Sequence, residues 1–178
     1  MKIINKAIEV LKNGGVILYP TDTIWGIGCD ATNKTAIEKI YKIKKREESK
    51  SLITLVANKK MLFKYTRHIP EFNILIKPTT VIYPKVYGLP KILMSQNSSA
   101  IRIPCDYFCK TLIKEFGNPI VSTSANISGE ENPNKFSDIS NEIKNNVDYI
   151  VNLRQDKIMK NPSRILKIEL NGTLTKIR

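Results

Sequence analysis

Two stretches far apart in this sequence carry side chains suited to binding anions: Lys44-Lys45-Arg46 with Lys50, and Ser122-Thr123-Ser124-Ala125-Asn126-Ile127-Ser128-Gly129. The first is a cluster of cations just past a helical pattern, and the second is a run of hydroxyl and amide donors between a strand and a glycine turn. A triphosphate calls for both fixed positive charge and neutral donors around its oxygens. The sequence contains no Gly-x-x-x-x-Gly-Lys-Ser/Thr, so a nucleotide here is held without a P-loop. Lys44 and Arg46 lie two apart, which on an extended segment places both side chains on one face. Cations past a helix end also complement its dipole, by about 0.3–1 kcal/mol, and an Asn/Ser/Gly turn after a strand is common, so each stretch has a purely structural reading as well.

These groups need a scaffold, and the pattern supplies one. Ile3, Ile4, Ala7, Ile8 and Leu11 recur at helical spacing before Gly14-Gly15. Val16–Tyr19 reads as a strand ending at Pro20, and Thr21-Asp22-Thr23 as a polar turn before Ile24–Gly28. Asn33 or Thr35 caps a helix striped by Ile37, Ile40 and Tyr41. Strands are predicted at Leu52–Val56, Thr79–Tyr83, Ala100–Pro104 and Asp148–Val151. Further helices are predicted after Asn58, around Phe72–Ile76, after Asp106 and over Ser137–Asn145. The stretch Pro84–Ser99 lacks periodicity and reads as a long loop and candidate lid. Asn171-Gly172 marks a hairpin. Helices and strands in alternation predict one α/β domain over residues 1–178, built on an open, twisted, mixed sheet with an antiparallel end.

Composition narrows the classes. The 42% hydrophobic and 25% charged fractions are those of a soluble globular protein, and no apolar run approaches the ~20 residues that span a bilayer. The opening residues interleave charge too early for a signal peptide, so the expected compartment is the cytoplasm, with no membrane partner. Cys29, Cys105 and Cys109 form no Cys-x-x-Cys pair, and with one histidine, His68, they make no standard zinc site. They are expected to be buried, reduced thiols, and no metal is expected on protein side chains. The net charge of +13 suits tRNA or double-stranded RNA; it also suits a general bias toward lysine across the chain.

Lys44-x-Arg46 with Lys50, preceded by Tyr19-Pro20-Thr21-Asp22-Thr23-Ile24-Trp25-Gly26-Ile27-Gly28 and followed by Ile101-Arg102-Ile103-Pro104 and Ser122–Gly129, resembles the YrdC-type threonylcarbamoyl-AMP synthases. The likeness runs from Gly14 to about Pro133 and resumes at Pro162-Ser163. It implies a YrdC-like open sheet with a basic concave face. It also implies an enzyme that joins L-threonine, bicarbonate or CO2 and ATP, with Mg2+, into threonylcarbamoyl-AMP and pyrophosphate. Downstream tRNA-threonylcarbamoyl-transferase proteins then use the product on tRNA adenosine 37.

The resemblance implies a catalytic tetrad of Lys44, Arg46, Ser124 and Asn126. It places ATP on Arg46, Lys50, Ser98, Ser124, Asn126, Asn132 and Arg178. Threonine and bicarbonate fall to Thr21, Thr23, Trp25, Arg102, Ser122 and Ser163. Arg102 interrupts an apolar strand and must meet an anion, either the substrate carboxylate or carbamate or a structural Asp or Glu. Trp25 stands where the family has Tyr, and an aromatic there also suits the core. The family's Trp-Pro-Gly-Pro-x-Thr is replaced by Leu75-Ile76-Lys77-Pro78-Thr79-Thr80, and Arg164 stands where Pro-Ser-Thr has its Thr. A non-catalytic RNA-binding module and a diverged paralog are the other readings, and retention of the tetrad weighs against both.

Overall fold

The computed structural model describes residues 2–69 and 77–178, so the helix expected around Phe72–Ile76 lies outside the described residues. In chain order the elements are α1 (Lys2–Lys12), β1 (Ile17–Pro20), β2 (Trp25–Gly28), α2 (Lys34–Ile43), β3 (Ile53–Leu55), α3 (Lys59–Leu62) and β4 (Thr79–Tyr83). They continue with β5 (Ser99–Arg102), α4 (Tyr107–Phe116), β6 (Ile120–Ser124), α5 (Asn141–Asn145), β7 (Tyr149–Ile150), β8 (Arg164–Ile168) and β9 (Leu174–Lys176). The helix starts follow from side-chain caps: Asn33 accepts from Ala36 N, Asn58 from Met61 N, Asp106 from Cys109 N and Ser140 from Ile143 N. Gly117 closes α4 in the left-handed region.

The strands form one mixed sheet in the order β7-β1-β2-β6-β3-β5-β4-β8-β9. β6 is antiparallel to both β2 and β3, and β3 is parallel to β5. Each face carries its own core, because strand alternation sends neighbouring residues to opposite sides. Val16, Leu18, Ile27, Val81, Ile101 and Val121 pack under α2 and α5. Ile17, Tyr19, Leu55 and Ile120 pack under α1 and α4. Gly28 permits the close approach of β6 on this second face: a Cβ there would stand 2.5 Å from Val121 O and 2.7 Å from Tyr19 Cε1.

Three expectations change. The Pro84–Ser99 stretch is no free lid: Val86, Leu89 and Leu93 are buried, and Ser99 Oγ and Tyr87 N bond to Leu93 O and Tyr65 O. Its apolar side chains, spaced without period, anchor an irregular backbone to the core. Ser137–Asn145 is not one helix, because a short 3-10 turn over Phe136–Asp138 precedes α5, which Ser140 starts afresh. Cys29 and Cys109 are buried as expected, whereas Cys105 is exposed, just ahead of the cap of α4.

Candidate active site

By alternation Ile120, Ser122 and Ser124 share one face of β6. Ile120 lies beneath α1 and α4, while Ser122 and Ser124 pass beyond the helices into a cleft of about 310 Å³. The cleft's floor is the uncovered part of the same face, with Gly26 of β2, Ile53 of β3, Ala100 and Arg102 of β5, Ile82 of β4 and Ile165 of β8. Arg46, Ser51, Thr21, Asn132, Ser163 and Arg178 complete the wall. Thr21, Arg46, Arg102, Ser122, Ser124, Asn132, Ser163 and Arg178, singled out from distant parts of the sequence, are therefore brought together.

Lys44 and Arg46 do not share a face. α2 ends with Lys44 N on Ile40 O, Lys45 N on Lys42 O and Arg46 N on Tyr41 O, with Lys45 left-handed at φ 49°. This tight helix terminus replaces the expected extended segment and turns the two side chains apart. Lys44 is only 1% exposed, and its Nζ donates to Ser124 O and Asn126 O, each at 2.5 Å, and to Asn126 Oδ1 at 3.3 Å. Burial and the nearby Arg46 charge push its pKa down to about 7, with Glu130 opposing. Arg46 instead reaches the cleft, donating Nε to Lys50 O at 3.0 Å and Nη2 to Ser51 O at 3.2 Å.

Arg102 meets Asp22, 80 residues away in sequence, in an ion pair whose side chains are 3% and 6% exposed. Asp22 Oδ2 also accepts from Cys105 N at 2.8 Å, while Arg102 Nε is buried with no acceptor among the described residues. The structural partner is thus the carboxylate in the Thr21-Asp22-Thr23 turn. Thr21 Oγ1 fixes that turn through Thr23 N (3.0 Å), Thr23 Oγ1 (2.9 Å) and Ile24 O (2.8 Å). On the far wall Ser163 Oγ shares a hydrogen bond with Thr80 Oγ1 at 2.8 Å, and Arg178 Nη2 donates to Ser163 O at 3.1 Å.

The other expected site residues stand off this cleft. Trp25 is fully buried on the opposite face of β2, its ring tilted 48° against that of Phe136 with centroids 5.1 Å apart, as core. The Lys50 ammonium sits 3.8 Å from Glu47 on the surface, and only its carbonyl supports Arg46. Ser98 Oγ bonds to Ser95 O in a turn one step past the cleft floor. Asn126 spends its amide on Lys44 and, through Nδ2, on Glu130 O at 2.6 Å. Thr23 lines a neighbouring cleft of about 660 Å³ on the other side of the turn, with Asp22, Asp106 and Arg154. Asp22 and Thr80, which the sequence did not single out as site residues, bond to two that it did, Arg102 and Ser163. The signal for Asp22 was a carboxylate within a polar turn in a chain whose Arg102 needed an anion.

The family model Sua5/YciO/YrdC, described as telomere recombination, matches residues 9–178. The threonylcarbamoyl-AMP synthase of Pseudoalteromonas translucida is 34% identical over 154 residues, covering 82% of each chain. That of Aliivibrio fischeri is 37% identical over 140 residues, 74% of this chain and 76% of its own. This chain belongs to the Sua5/YciO/YrdC family. Its fold is also that of Pyrococcus abyssi Sua5, described as complexed with L-threonine: the TM-score is 0.84 at 23% identity, over 98% of this chain and 53% of the Sua5 chain.

In this Sua5/YciO/YrdC member the tetrad divides by position. Arg46 and Ser124 line the cleft. Lys44 and Asn126 stand behind it, joined to each other and to the main chain that carries Ser124. The tetrad implied by the resemblance therefore spans both the wall of the cleft and the strut behind that wall.

Proposed function

We propose that this chain is a threonylcarbamoyl-AMP synthase, a nucleotidyltransferase that forms threonylcarbamoyl-AMP and pyrophosphate from L-threonine, bicarbonate or CO2 and ATP. The observation that carries the reading is one cleft that gathers three guanidinium groups and several neutral donors from distant parts of the chain. Arg46, Arg102 and Arg178 supply charge suited to phosphates and a carboxylate, and Thr21, Ser122, Ser124, Asn132 and Ser163 supply neutral donors. The names of relatives at 34–37% identity support the same reaction.

In this reading threonine lies with its carboxylate toward Arg102 and its hydroxyl and amine among Thr21, Ser122 and Ser163. The neutral amine attacks CO2, one C–O π bond breaks to leave the carbamate oxygen anionic, and the proton shed by nitrogen goes to solvent. The carbamate oxygen attacks the α-phosphorus of ATP, the bond to the β-phosphate breaks, and pyrophosphate leaves with the electron pair. No protein nucleophile takes part, so the protein's contribution is to position three reactants and to offset the charge that builds on the phosphoryl oxygens. Arg46 and Ser124 are suited to the latter. In this reading Mg2+ belongs with the phosphates of ATP, whose charge it would offset. Partner proteins would carry the product to adenosine 37 of tRNA.

Incubating the protein with ATP, threonine and bicarbonate while following pyrophosphate and the acyl-adenylate tests the proposal. Product requires all three, and omission of threonine abolishes it. Tight RNA binding with no adenylate under any such condition would return the non-catalytic RNA-module reading.

A further inference from the structure

A guanidinium that is to receive a carboxylate must be held with its plane fixed and a free N–H directed at the ligand, because its recognition of a carboxylate depends on fixed planar geometry. Arg102 has one nitrogen engaged: Nη1 meets Asp22 Oδ1. Its Nε is buried with no acceptor among the described residues, although the residue lines the cleft. The nitrogen left for an anion is thus Nη2, which neither meets Asp22 nor shares the burial of Nε. Asp22 itself cannot swing, since its second oxygen takes Cys105 N at 2.8 Å and its backbone lies in the turn locked by Thr21 Oγ1. The turn is tied down from outside as well, by Arg154, which donates to Thr21 O at 3.4 Å and pairs with Asp106, the cap of α4.

We propose that Asp22 is a positioning residue for the amino-acid substrate: it fixes the Arg102 guanidinium by one nitrogen so that Nη2 is presented to the substrate carboxylate. This rests on the threonine-dependent reading above. Asp22 touches no reactant; it works through Arg102. Because the pair is neutral, the site selects by geometry, taking an anion only where Nη2 is reached.

The test compares the native protein with Asp22→Asn and Asp22→Glu. The first keeps the size but replaces one acceptor by a donor. The second keeps the buried charge paired, so that the fold stands, while displacing the guanidinium by a methylene. Threonine Kd is measured by calorimetry, and KM for threonine and for ATP by initial rates. Both variants are expected to weaken threonine about tenfold or more, the equivalent of one hydrogen bond to a charged group, with ATP KM within about twofold of native. The native preference for threonine over L-threoninamide, which lacks the carboxylate, shrinks in both variants; a general loosening leaves that ratio unmoved. Native-like threonine affinity in Asp22→Glu overturns the proposal. So does tighter threonine binding by Asp22→Asn, which would make Asp22 a competitor of the substrate, and so does parallel weakening of threonine and ATP. If the native protein binds no threonine, the functional reading fails and the inference with it; if it binds and the variants match it, the inference alone fails.

Discussion

The Lys44 ammonium bonds to the main-chain carbonyls of both Ser124 and Asn126 at 2.5 Å, so the end of α2 and the segment leaving β6 form a single unit. Ser124 owes its place in the cleft wall to a cation that does not itself line the cleft.

Lys44→Met is therefore expected to abolish most adenylate formation while leaving two carbonyls short of a donor, at on the order of 1–3 kcal/mol for each group left unsatisfied. The pH dependence has a definite sign. The folded pKa of about 7 lies below the ordinary 10.5, so below pH 7 the group is charged in both states and its desolvation cost is borne in full. Between those two values the unfolded chain holds the proton that the folded chain has released, so this group's contribution to stability rises with pH. Urea unfolding at about pH 6 and about pH 9 should show the native protein gaining on Lys44→Met at the higher pH. A constant difference would mean that the three oxygens around Nζ offset burial and keep the amine charged throughout.

Arg46→Ala removes a planar donor from the cleft rim together with the links to Lys50 O and Ser51 O. Turnover is expected to fall about 100–1000-fold, as for loss of one preorganised contact to developing charge. The melting temperature should change little, because the guanidinium is on the surface. Steady-state kinetics and a thermal melt decide it: unchanged kcat and ATP KM would confine Arg46 to closing the turn after α2.

Gly28→Ala introduces a methyl against Val121 O and Tyr19 Cε1, where neither backbone nor buried ring gives way readily. A cost of about 1–3 kcal/mol is expected from overpacking, or about 2–4 °C in Tm per kcal/mol for a domain of this size. Because β6 carries Ser122 and Ser124, adenylate formation should fall as well. A calorimetric scan with a parallel assay checks both, and an unshifted Tm would show that β2 and β6 separate freely.

Salt separates the cleft from the general charge. With a net charge of +13 spread along the chain, any RNA contact should weaken steeply with salt through counterion release. ATP, held partly by neutral donors in a cleft, should weaken more gently across a series in which the Debye length falls from about 10 Å to about 3 Å. Dissociation constants for both ligands in one salt series test this, and parallel slopes would mean a diffuse basic surface in place of a site.

Much of the local structure was legible because it is written in local chemistry. Asn33, Asn58 and Asp106 announce helix starts by offering an oxygen to the next turn's N–H groups. Gly14 and Gly117 announce stops by taking positive φ, and Asn171-Gly172 announces the last reversal. The cationic and hydroxyl stretches were legible as a pair because a phosphate needs both kinds of donor. What spacing alone misjudged was direction. Lys44 and Arg46 share a face only on an extended chain, and Lys45 at φ 49° instead folds the segment back.

The sequence by itself determined the order of elements, their caps and turns, and the set of residue types able to hold phosphate and carboxylate. Tertiary structure decided which of those residues meet. Strand order sets β6 between β2 and β3, so Ser122 and Ser124 face Gly26 and Ile53, and it sets β8 against β4, so Ser163 arrives beside Thr80. It also gave Arg102 to Asp22 and Lys44 to the carbonyls of 124 and 126, across some 80 residues of chain each. The reason is physical: a buried charge takes whichever partner the packing brings within reach, and that is a property of the folded sheet, which no spacing along the chain expresses.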